Sequence, residues 1–511
     1  MKKRTLFSVS LLFLLLILVH IAVAVAAPGV SINTGRKTAA GKAGNFVIMP
    51  NGSVTPDILA ANNKVTADMP ASSFLSAAKA RNGVPIAMVN GTLFNAYYDA
   101  KQAITFPNNC PLSAGMLMTG GRMIHSGYAV TLGYTLDGKW LIDKVDTKVK
   151  LYSQDKSAST LTGVNIFTSD PAATILYTPE IGLPVPIHAG STVYVVRDGI
   201  AESPQTGLTS LTVKNGTYTL VFHENAWCTP PDVGTRVEID YEFSPSRPEK
   251  ENDWKKVTMA VAAGPLLLRN GQNVVNDAGL NSAFINSSKH QGAAQRTFIG
   301  VKADNTLIIG EASTTHSDAA NTLKAMGCVD AMALDGGASS FLYANGKTLQ
   351  GAGRKLNNVI AFWPAASGAK KSVATPSHAA VYVDGTPQMF DAYTIQGYTY
   401  FKLRDIAYVL NQTEKQFAVS WDDRQNAISL TSGAEYIPQG TEMSRGSGTA
   451  KVPSLTSSKV YLDGKEIKLT AYNIGGNNYF KLRDMENALG FVVRWDDAKQ
   501  VIYIETGEAE D

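Results

Sequence analysis

Short apolar segments separated by polar turns dominate residues 30–365 of the 511-residue chain. Residues 257–262 and 266–268 have the length and composition of strands and are predicted to pair with each other. Residues 72–80 have the composition of a helix that ends near the Asn-Gly at position 82. The pattern predicts the α+β class, with a β-rich mixed domain first.

One predicted hairpin carries opposite charges at its open end. Residues 296–301 form its first strand, an Asp-Asn turn follows, and residues 307–311 return. Arg296 and Glu311 then lie toward the same end of the hairpin. One interpretation is a cross-strand ion pair. The other is that the planar Arg296 guanidinium binds two oxygens of a phosphate.

A second feature is the apolar run at residues 331–334, which stops at an acid followed by glycines and hydroxyls. A strand ending there would place the acid where the chain turns. Consecutive glycines allow positive φ and let backbone N–H groups approach an anion closely. A plain strand followed by a Gly-Gly turn is the alternative. The residues of this candidate anion cradle are Asp335, Gly336, Gly337, Ser339 and Ser340.

Asn90 ends another apolar run, residues 85–89, much as Asp335 ends residues 331–334. Asn-Gly at the end of a strand is usually only a turn. Two polar strand ends that meet would instead line one pocket. Asn90 is therefore a candidate site residue.

The C-terminal part of the chain contains an internal repeat. Tyr400-Phe-Lys-Leu-Arg-Asp405 recurs as Tyr479-Phe-Lys-Leu-Arg-Asp484, and Trp421-Asp-Asp423 recurs as Trp495-Asp-Asp497. An Asp-Gly hairpin, a short helix and two further strands are predicted in each copy. The fold prediction therefore adds two small ββαββ units. Their aromatic residues either pack in a core or bind sugar.

Residues 1–26 have a basic start, a long apolar run and an A-x-A site, which is typical of a secretion signal. An uncleaved membrane anchor is the alternative, because the run is long enough to span a bilayer. A small, polar segment after residue 365 is typical of a linker. The predicted parts are a signal peptide (1–26), a large domain (27–365), a linker (366–376), repeat 1 (377–435), a connector (436–455) and repeat 2 (456–507).

Charge and cysteine content exclude some functions. The chain has 46 basic and 43 acidic residues, and three of the basic ones lie in the predicted signal. The remaining chain is neutral, so we expect no nucleic-acid partner, and no membrane partner once the signal is cleaved. Cys110, Cys228 and Cys328 are widely spaced without any CxxC, which favours buried thiols, with one disulfide as the alternative.

The order of motifs in residues 80–365 resembles the phosphodiester glycosidase family. An Asn-Gly near the start, a Gly-Pro-Leu strand, an Arg-Thr strand and Leu-Asp-Gly-Gly-x-Ser-Ser follow one another. Ala338 stands where the family favours a third glycine, and Glu311 stands near the place of a family Asp-Gly. The resemblance implies hydrolysis of a sugar-1-phosphodiester, as in the removal of N-acetylglucosamine from glycans.

The resemblance also implies roles for individual residues. Arg296 would neutralise phosphate charge, with Asp335 and Glu311 as the other catalytic groups. Asp335 would orient or deprotonate water, or hold a divalent cation; no other cofactor and no metal ligand are predicted. Attack at carbon and attack at phosphorus both stay open. The implied substrate-binding residues are Asn90, Gly336, Gly337, Ser339, Ser340, Thr297, His316, Arg354 and Asn358.

Residues 377–506 resemble the copper amine oxidase N-terminal-like stalk domains of secreted bacterial proteins. The resemblance rests on the Tyr-Phe-Lys-Leu-Arg-Asp core, which occurs twice. His378 is the one histidine of this stretch, so we predict no metal there. The resemblance implies a binding or spacer role at a bacterial cell surface, with contact to the cell wall.

The first hypothesis is an exported hydrolase that acts on a glycosyl phosphodiester of a surface polymer, with a glycan or phosphoglycan as substrate. The second is a non-catalytic glycan- or phosphoglycan-binding protein that retains the pocket. A serine hydrolase using Ser339 or Ser340 is a weaker third hypothesis, because no G-x-S-x-G surrounds either residue.

Overall fold

In this computed structural model the predicted signal peptide and most of the predicted linker lie outside the described residues. His378 lies outside them as well. The residues described are 29–98, 109–127, 130–153, 158–197, 200–215, 217–235, 237–285, 292–365, 374–377, 379–395, 397–422, 427–440, 442–443, 451, 453–456, 459–474, 477–496, 499 and 501–507.

Strands hold 48% of the residues and helices 14%, so the prediction of a β-rich fold with few helices is confirmed. The predicted helix at 72–80 is part of Ala71–Asn82. The described helices are Ala71–Asn82, Glu251–Trp254, Ala278–Ile285, His316–Ala325, Leu403–Val409 and Leu482–Leu489, with short 3₁₀ turns at Ala61–Asn63, Pro179–Ile181, Pro248–Lys250 and Gly337–Ser339.

Sheet I holds the predicted charged hairpin, whose two strands pair antiparallel as expected. Arg296 is opposite Ala312, and Thr297 is opposite Glu311. The strands of sheet I, in spatial order, are Ser31–Lys37, Ala43–Met49, Leu307–Thr314, Ala294–Lys302, Cys328–Ala333, Leu266–Arg269 and Gln272–Asn273.

Sheet II contains the next strand of the chain after Cys328–Ala333. The segment that follows Asp335 leads into its strand Leu342–Ala344. Its central strand carries Asn90 at its last position. The strands of sheet II, in spatial order, are Lys347–Gln350, Leu342–Ala344, Ala87–Asn90, Asn358–Pro364 and Val54–Ala60.

Three further sheets complete the large domain. Sheet III is Val237–Pro245, Trp140–Ser153, Val130–Thr135, Val257–Ala263, Leu117–Thr119 and Arg122–His125, with Ser159–Leu161 added to the second strand. Sheet IV is Gly163–Val164, Thr174–Tyr177, Thr217–Phe222, Thr192–Arg197 and Ile200–Ala201, with Gln205–Thr206 added to the fourth strand. Sheet V is Val185–Pro186 and Ser210–Leu211.

The predicted pairing of residues 257–262 with 266–268 is wrong. Val257–Ala263 pairs within sheet III, whereas Leu266–Arg269 pairs with Cys328–Ala333 in sheet I. Every residue of Val257–Ala263 is buried, so this strand needs neighbours on both sides and on both faces. The chain therefore changes sheet at Gly264-Pro265 instead of turning back.

One apolar core joins sheets I to IV. It contains Ile309 and Met332 from sheet I, Val89 from sheet II, Val261 from sheet III and Ile175 from sheet IV, all at most 1% exposed. Burial on this scale fixes the sheets relative to one another, at about 25 cal/mol for each Å² of apolar surface. The strand ends that carry the candidate residues are thus held on a rigid frame.

Each of the two longer helices covers the face of a sheet that this core leaves open. His316–Ala325 packs Ala319 and Leu323 against Phe298 of sheet I, and its N-cap Thr315 accepts a hydrogen bond from the Asp318 backbone. Ala71–Asn82 packs against sheet II in the same way.

The two C-terminal copies do not fold separately, because their strands interleave. Sheet VI is Thr375–Pro376, Ala392–Ile395, Tyr398–Lys402, Asn477–Lys481, Ala471–Ile474 and Ser454–Leu455. Sheet VII is Thr386–Gln388, Ala380–Val383, Val501–Glu505 and Val492–Asp496. Sheet VIII is Phe417–Asp422, Ala427–Ser432, Lys459–Leu462 and Lys465–Ile467.

The ββαββ prediction omitted one hairpin from each copy. In the first copy Ala392–Ile395 pairs with Tyr398–Lys402 before the helix begins, so the order is ββββαββ. Gly397 has φ 83° in the turn, a conformation that glycine adopts without strain. The last strand of each copy then pairs in parallel with the first strand of the other. The result is a closed, pseudo-twofold pair with one shared core.

All three cysteines are buried free thiols, which excludes the disulfide alternative. Burial raises the pKa of Cys110 to about 11 and that of Cys328 to about 12, so both are protonated and unreactive at neutral pH. Among the residues that the structure describes, no helix is both long and apolar enough to cross a membrane.

Candidate active site

Three strand ends meet where the chain leaves sheet I for sheet II. The Leu334 N–H donates to the Thr297 carbonyl at 2.9 Å, which extends the sheet by one residue. The next N–H, of Asp335, donates to the Gly91 carbonyl at 3.0 Å in the other sheet. The ends of the two strands that carry Asn90 and Asp335 therefore lie side by side, and Asp335 lies at the junction.

Asn90 holds both ends of the loop that follows. Its Nδ2 donates to the Asp335 carbonyl oxygen at 2.6 Å, and its Oδ1 accepts from the Phe341 N–H at 2.9 Å. Asn90 is 1% exposed, so its side-chain amide is shielded from water. Both ends of the Asn90 amide are thus used to position the loop.

The Asp335 carboxylate is held by its own loop. The Gly336 N–H donates to Oδ1 at 2.9 Å, and the Ser339 hydroxyl donates a second hydrogen bond. Burial raises the pKa of Asp335 to about 6, against the opposing effect of these two donors and of the nearby Arg354 charge. An acid with this pKa exchanges protons readily near neutral pH.

Gly336 and Gly337 have different structural roles in the Asp335 loop. Gly337 has φ 62° and so supplies the left-handed turn. Gly336 is extended, but a Cβ there would lie 3.1 Å from the Gln295 carbonyl oxygen and 3.8 Å from Arg296 Nη1. The lack of a side chain at 336 lets the loop pass close to the Arg296 guanidinium. Ala338 has negative φ, so the loop accommodates its side chain.

Arg296 is 9% exposed, and its Nη2 donates to the Gly292 carbonyl at 2.8 Å. Burial lowers the pKa of its guanidinium, but an arginine side chain stays charged at neutral pH. The sequence placed this cation at the open end of the hairpin, and the structure adds that the end faces the Asp335 loop.

Glu311 lies at the same end of sheet I but on the opposite face from Arg296. Its cross-strand partner is Thr297, and successive residues of a strand project to opposite faces. The Glu311 carboxylate instead accepts hydrogen bonds from the Asn45 and Gln295 side-chain amides. Burial raises the pKa of Glu311, and these two donors oppose the effect. The interpretation of the hairpin as a cross-strand ion pair is therefore wrong, because the Glu311 carboxylate is bound by two side-chain amides on the other face of the sheet.

Asn358 is a buried residue that contacts the segment directly after Asn90. Its Oδ1 accepts from the Thr92 N–H at 2.9 Å, and it is 2% exposed. A Cβ at Gly91 would lie 2.0 Å from this oxygen, so position 91 has no room for a side chain. Next to it, Asn357 donates to three backbone carbonyl oxygens of the surrounding loops.

The remaining predicted residues differ in how deeply they are buried. Thr297 and Ser340 are fully buried, and within the described parts of the chain neither hydroxyl has a hydrogen-bond partner. His316 is buried as the first residue of the helix that follows the Glu311 strand. Arg354 is half-buried and lies near enough to Asp335 to lower its pKa.

Sequence reasoning missed several residues that hold this site. Asn45 and Gln295 bind Glu311, and Tyr97 contacts Arg354 through its hydroxyl at 3.2 Å and through its ring at 5.1 Å. Gln295 precedes Arg296 directly in the sequence, and this position could have been used to predict that it belongs to the site. Nothing in the local pattern around Asn45 connects it with a carboxylate 266 residues away.

A metal site does not emerge from the side chains. Within the ranges that the structure describes, no group of three His, Cys, Asp or Glu residues could hold an ion. Asp335 and Glu311 stay as individual carboxylates, each held by neutral donors.

Residues 190–363 match the model of the phosphodiester glycosidase family. The matched segment is about a third of the chain, and it contains Arg296, Glu311 and Asp335 but not Asn90. This segment is thus similar to the phosphodiester glycosidase family. No curated protein matches the chain.

Among solved structures, one of a hypothetical protein from Synechocystis has a TM-score of 0.52 at 19% identity, over 66% of this chain and 62% of that one. At this identity the likeness shows the fold alone. A candidate exported protein from Burkholderia pseudomallei K96243 has a TM-score of 0.48 at 17% identity, over 63% and 74% of the two chains.

The catalytic domain of zebrafish N-acetylglucosamine-1-phosphodiester alpha-N-acetylglucosaminidase has a TM-score of 0.35 at 12% identity, over 65% of this chain and 82% of that one. This likeness and that to the Burkholderia protein are too weak to carry an argument. The family match of residues 190–363 is therefore the comparison that bears on function.

Proposed function

We propose that this chain is a secreted hydrolase that cleaves a sugar-1-phosphodiester in a cell-envelope or extracellular glycan. The observation that carries the proposal is the Asp335 loop, which holds a carboxyl with a pKa raised to about 6 and whose backbone at Gly336 passes beside Arg296. Both residues lie inside the segment that matches the phosphodiester glycosidase family. Proton transfer and phosphate recognition are the two tasks that such a hydrolysis requires.

In the proposed reaction Arg296 binds the phosphate oxygens through its planar N–H groups. Asp335, as the carboxylate, accepts a proton from the attacking water. The products are the free sugar and a phosphomonoester on the remaining glycan. The Gly336 N–H is already bound to the Asp335 carboxylate, so its role is to hold the base. This revises the expectation that the Gly336 amide donates to phosphate.

The test is release of free sugar from an N-acetylglucosamine-1-phosphate diester by the full-length mature protein. We expect release by the native chain and loss of release in Asp335→Asn, which keeps the size of the side chain. Chelator in a parallel assay decides whether a cation takes part. Binding of the diester without release would support the non-catalytic binding protein, and the absence of both would refute both hypotheses.

The same assay in ¹⁸O-labelled water decides which bond breaks. Label in the released sugar means that water attacks carbon, and label in the phosphomonoester means that it attacks phosphorus. Both routes give the same unlabelled products, so only the isotope separates them.

The C-terminal copies enter this proposal as the part that contacts the cell wall. Their closed, interleaved arrangement makes them one rigid unit, which suits a spacer or a binding module.

A further inference from the structure

One row of side chains crosses the outer face of sheet VII. Tyr382 is the in-register partner of Tyr503, and Tyr503 is the partner of Arg494 on the next strand. The residues on either side of Tyr503, Ile502 and Ile504, are buried in the shared core. Because side chains alternate between faces, the row projects away from that core.

The row borders a surface pocket with a volume of about 520 Å³. The Tyr382 and Tyr503 rings are stacked, with centroids 5.7 Å apart and an angle of 28° between their planes. Trp495 is 45% exposed, a large exposure for a residue of this size. The pocket is lined by Arg494, Trp495, Asp496, Lys499 and Tyr503.

The charges of this pocket balance one another. Arg494 forms an ion pair with Glu505, and Lys499 lies 3.4 Å from Asp496. Each cation is thus matched by an acid, which gives no net attraction for a polyanion. Aromatic rings surrounded by polar donors and acceptors instead suit a neutral ligand that has both an apolar face and hydroxyl groups.

The first copy provides an internal comparison. The equivalent row, on sheet VIII, combines Ser429 and Ser420 of the first copy with Tyr461 of the second. Trp421 occupies the position of Trp495 and has the same 45% exposure. The fold therefore forms without a second tyrosine or an arginine in this row, so packing does not explain their presence in sheet VII.

We propose that the pocket beside this row of sheet VII binds a short, neutral, β-1,4-linked glycan, with Tyr503 and Trp495, which both line it, against the sugar rings and Arg494 bound to hydroxyl oxygens. A pyranose with all substituents equatorial presents a flat C–H face that packs on an aromatic ring. The row spans three strands, about 10 Å, since neighbouring strands lie about 4.8 Å apart. That span is close to the length of one disaccharide unit of such a chain. The site is independent of the proposed hydrolase activity.

The test uses chitohexaose and cellohexaose as probes, with titration calorimetry on the full-length mature protein. We expect at least one probe to bind, and Trp495→Ala and Tyr503→Ser each to raise its Kd by about tenfold or more. Trp421→Ala is the matched control, because it removes an equally exposed tryptophan from the copy without the row. We expect its Kd to stay within about twofold of the native value.

A reciprocal variant supplies a gain of function. Ser429→Tyr with Ser420→Arg rebuilds the row in the first copy, and we expect the stoichiometry to rise from one glycan to two. Binding by neither probe, or equal loss in the Trp421→Ala and Trp495→Ala proteins, would overturn the proposal. Hydrolysis of the diester by the Trp495→Ala protein is measured separately, so that failure of this site and failure of the proposed function are distinguished.

Discussion

The side chain of Asn90 donates to the backbone carbonyl of Asp335 at 2.6 Å, although 245 residues separate them in sequence. The same side chain accepts from the Phe341 N–H at 2.9 Å. A single buried amide thus fixes the start and the end of the loop that presents the candidate catalytic carboxylate. The position of Asp335 therefore depends on a residue outside the segment that matches the family.

Asn90→Ala is expected to lower kcat for diester hydrolysis by about 100-fold, because a displacement of about 1 Å at the reacting group has effects of that size. It also leaves two buried backbone groups without partners, at about 1–3 kcal/mol each. Steady-state kinetics together with denaturant unfolding measure both effects.

Asn281→Ala is the matched control for this variant. Asn281 is equally buried, and it bonds the backbone N–H and carbonyl of Leu266 in the same two-sided way. We expect similar destabilisation with kcat largely retained below the unfolding transition. Equal kcat values for the two variants would mean that Asn90 has only a structural role.

The stability of the native protein should decrease as pH rises from about 4 to about 6. Burial raises the pKa of Asp335 to about 6 in the folded state, above its ordinary 3.8. The folded state therefore holds this proton more tightly than the unfolded state, and the advantage is lost as the group ionises. Allowing for the partial exposure of Asp335, the effect is about 1–2 kcal/mol.

Asp335→Asn removes this ionisation and keeps an oxygen acceptor for the Gly336 N–H. We expect the variant to be more stable than the native protein at pH 7.5 and equally stable at pH 4, by urea unfolding at each pH. If the native protein is instead the more stable of the two at pH 7.5, the folded state favours the carboxylate over the acid, and the prediction is wrong.

Arg296→Lys should lower kcat/KM for the diester by about 100-fold while the protein stays folded. Lysine keeps the charge, but it loses the planar fork that matches two phosphate oxygens. Arg269→Lys is the control, since Arg269 lies on sheet I and its Nη2 donates to the backbone carbonyl of Ser246. If both variants retain native kcat/KM, Arg296 does not recognise the phosphate.

Arg247→Met should destabilise the protein by about 3–5 kcal/mol, because Asp143 would be left buried with its charge uncompensated. Arg247 Nε lies 3.0 Å from Asp143, which is 0% exposed, and Nη1 lies 3.0 Å from Asp330. Differential scanning calorimetry measures the change. Adding Asp143→Asn to the variant should recover part of the loss, and an additive further loss would contradict this account.

Phe480→Ala should unfold both C-terminal copies together. Phe480 is fully buried and is the cross-strand partner of Phe401 in the other copy, and removing a buried phenylalanine costs about 3–5 kcal/mol. Hydrogen exchange should show loss of protection in Ala380–Val383 as well as in Val501–Glu505. Protection that persists in the first copy alone would mean that the copies are independent.

The sequence by itself determined the local elements on which the site rests. Apolar runs bounded by turn residues located the hairpin of Arg296, the strand that ends at Asp335 and the helix at 72–80, because period and turn chemistry are properties of neighbouring residues. The spacing of the YFKLRD motif also located the repeat, but one hairpin in each copy was missed.

Only the tertiary structure decided which elements meet. The pairing of Asn90 with Asp335, the two amides on Glu311 and the crossing from one sheet to another at Gly264-Pro265 all join residues whose local patterns are independent. The exchange of strands between the C-terminal copies has the same origin. Strand pairing follows from burying apolar surface and from satisfying the backbone groups at the sheet edges. These requirements are set by the whole chain, so no local pattern encodes them.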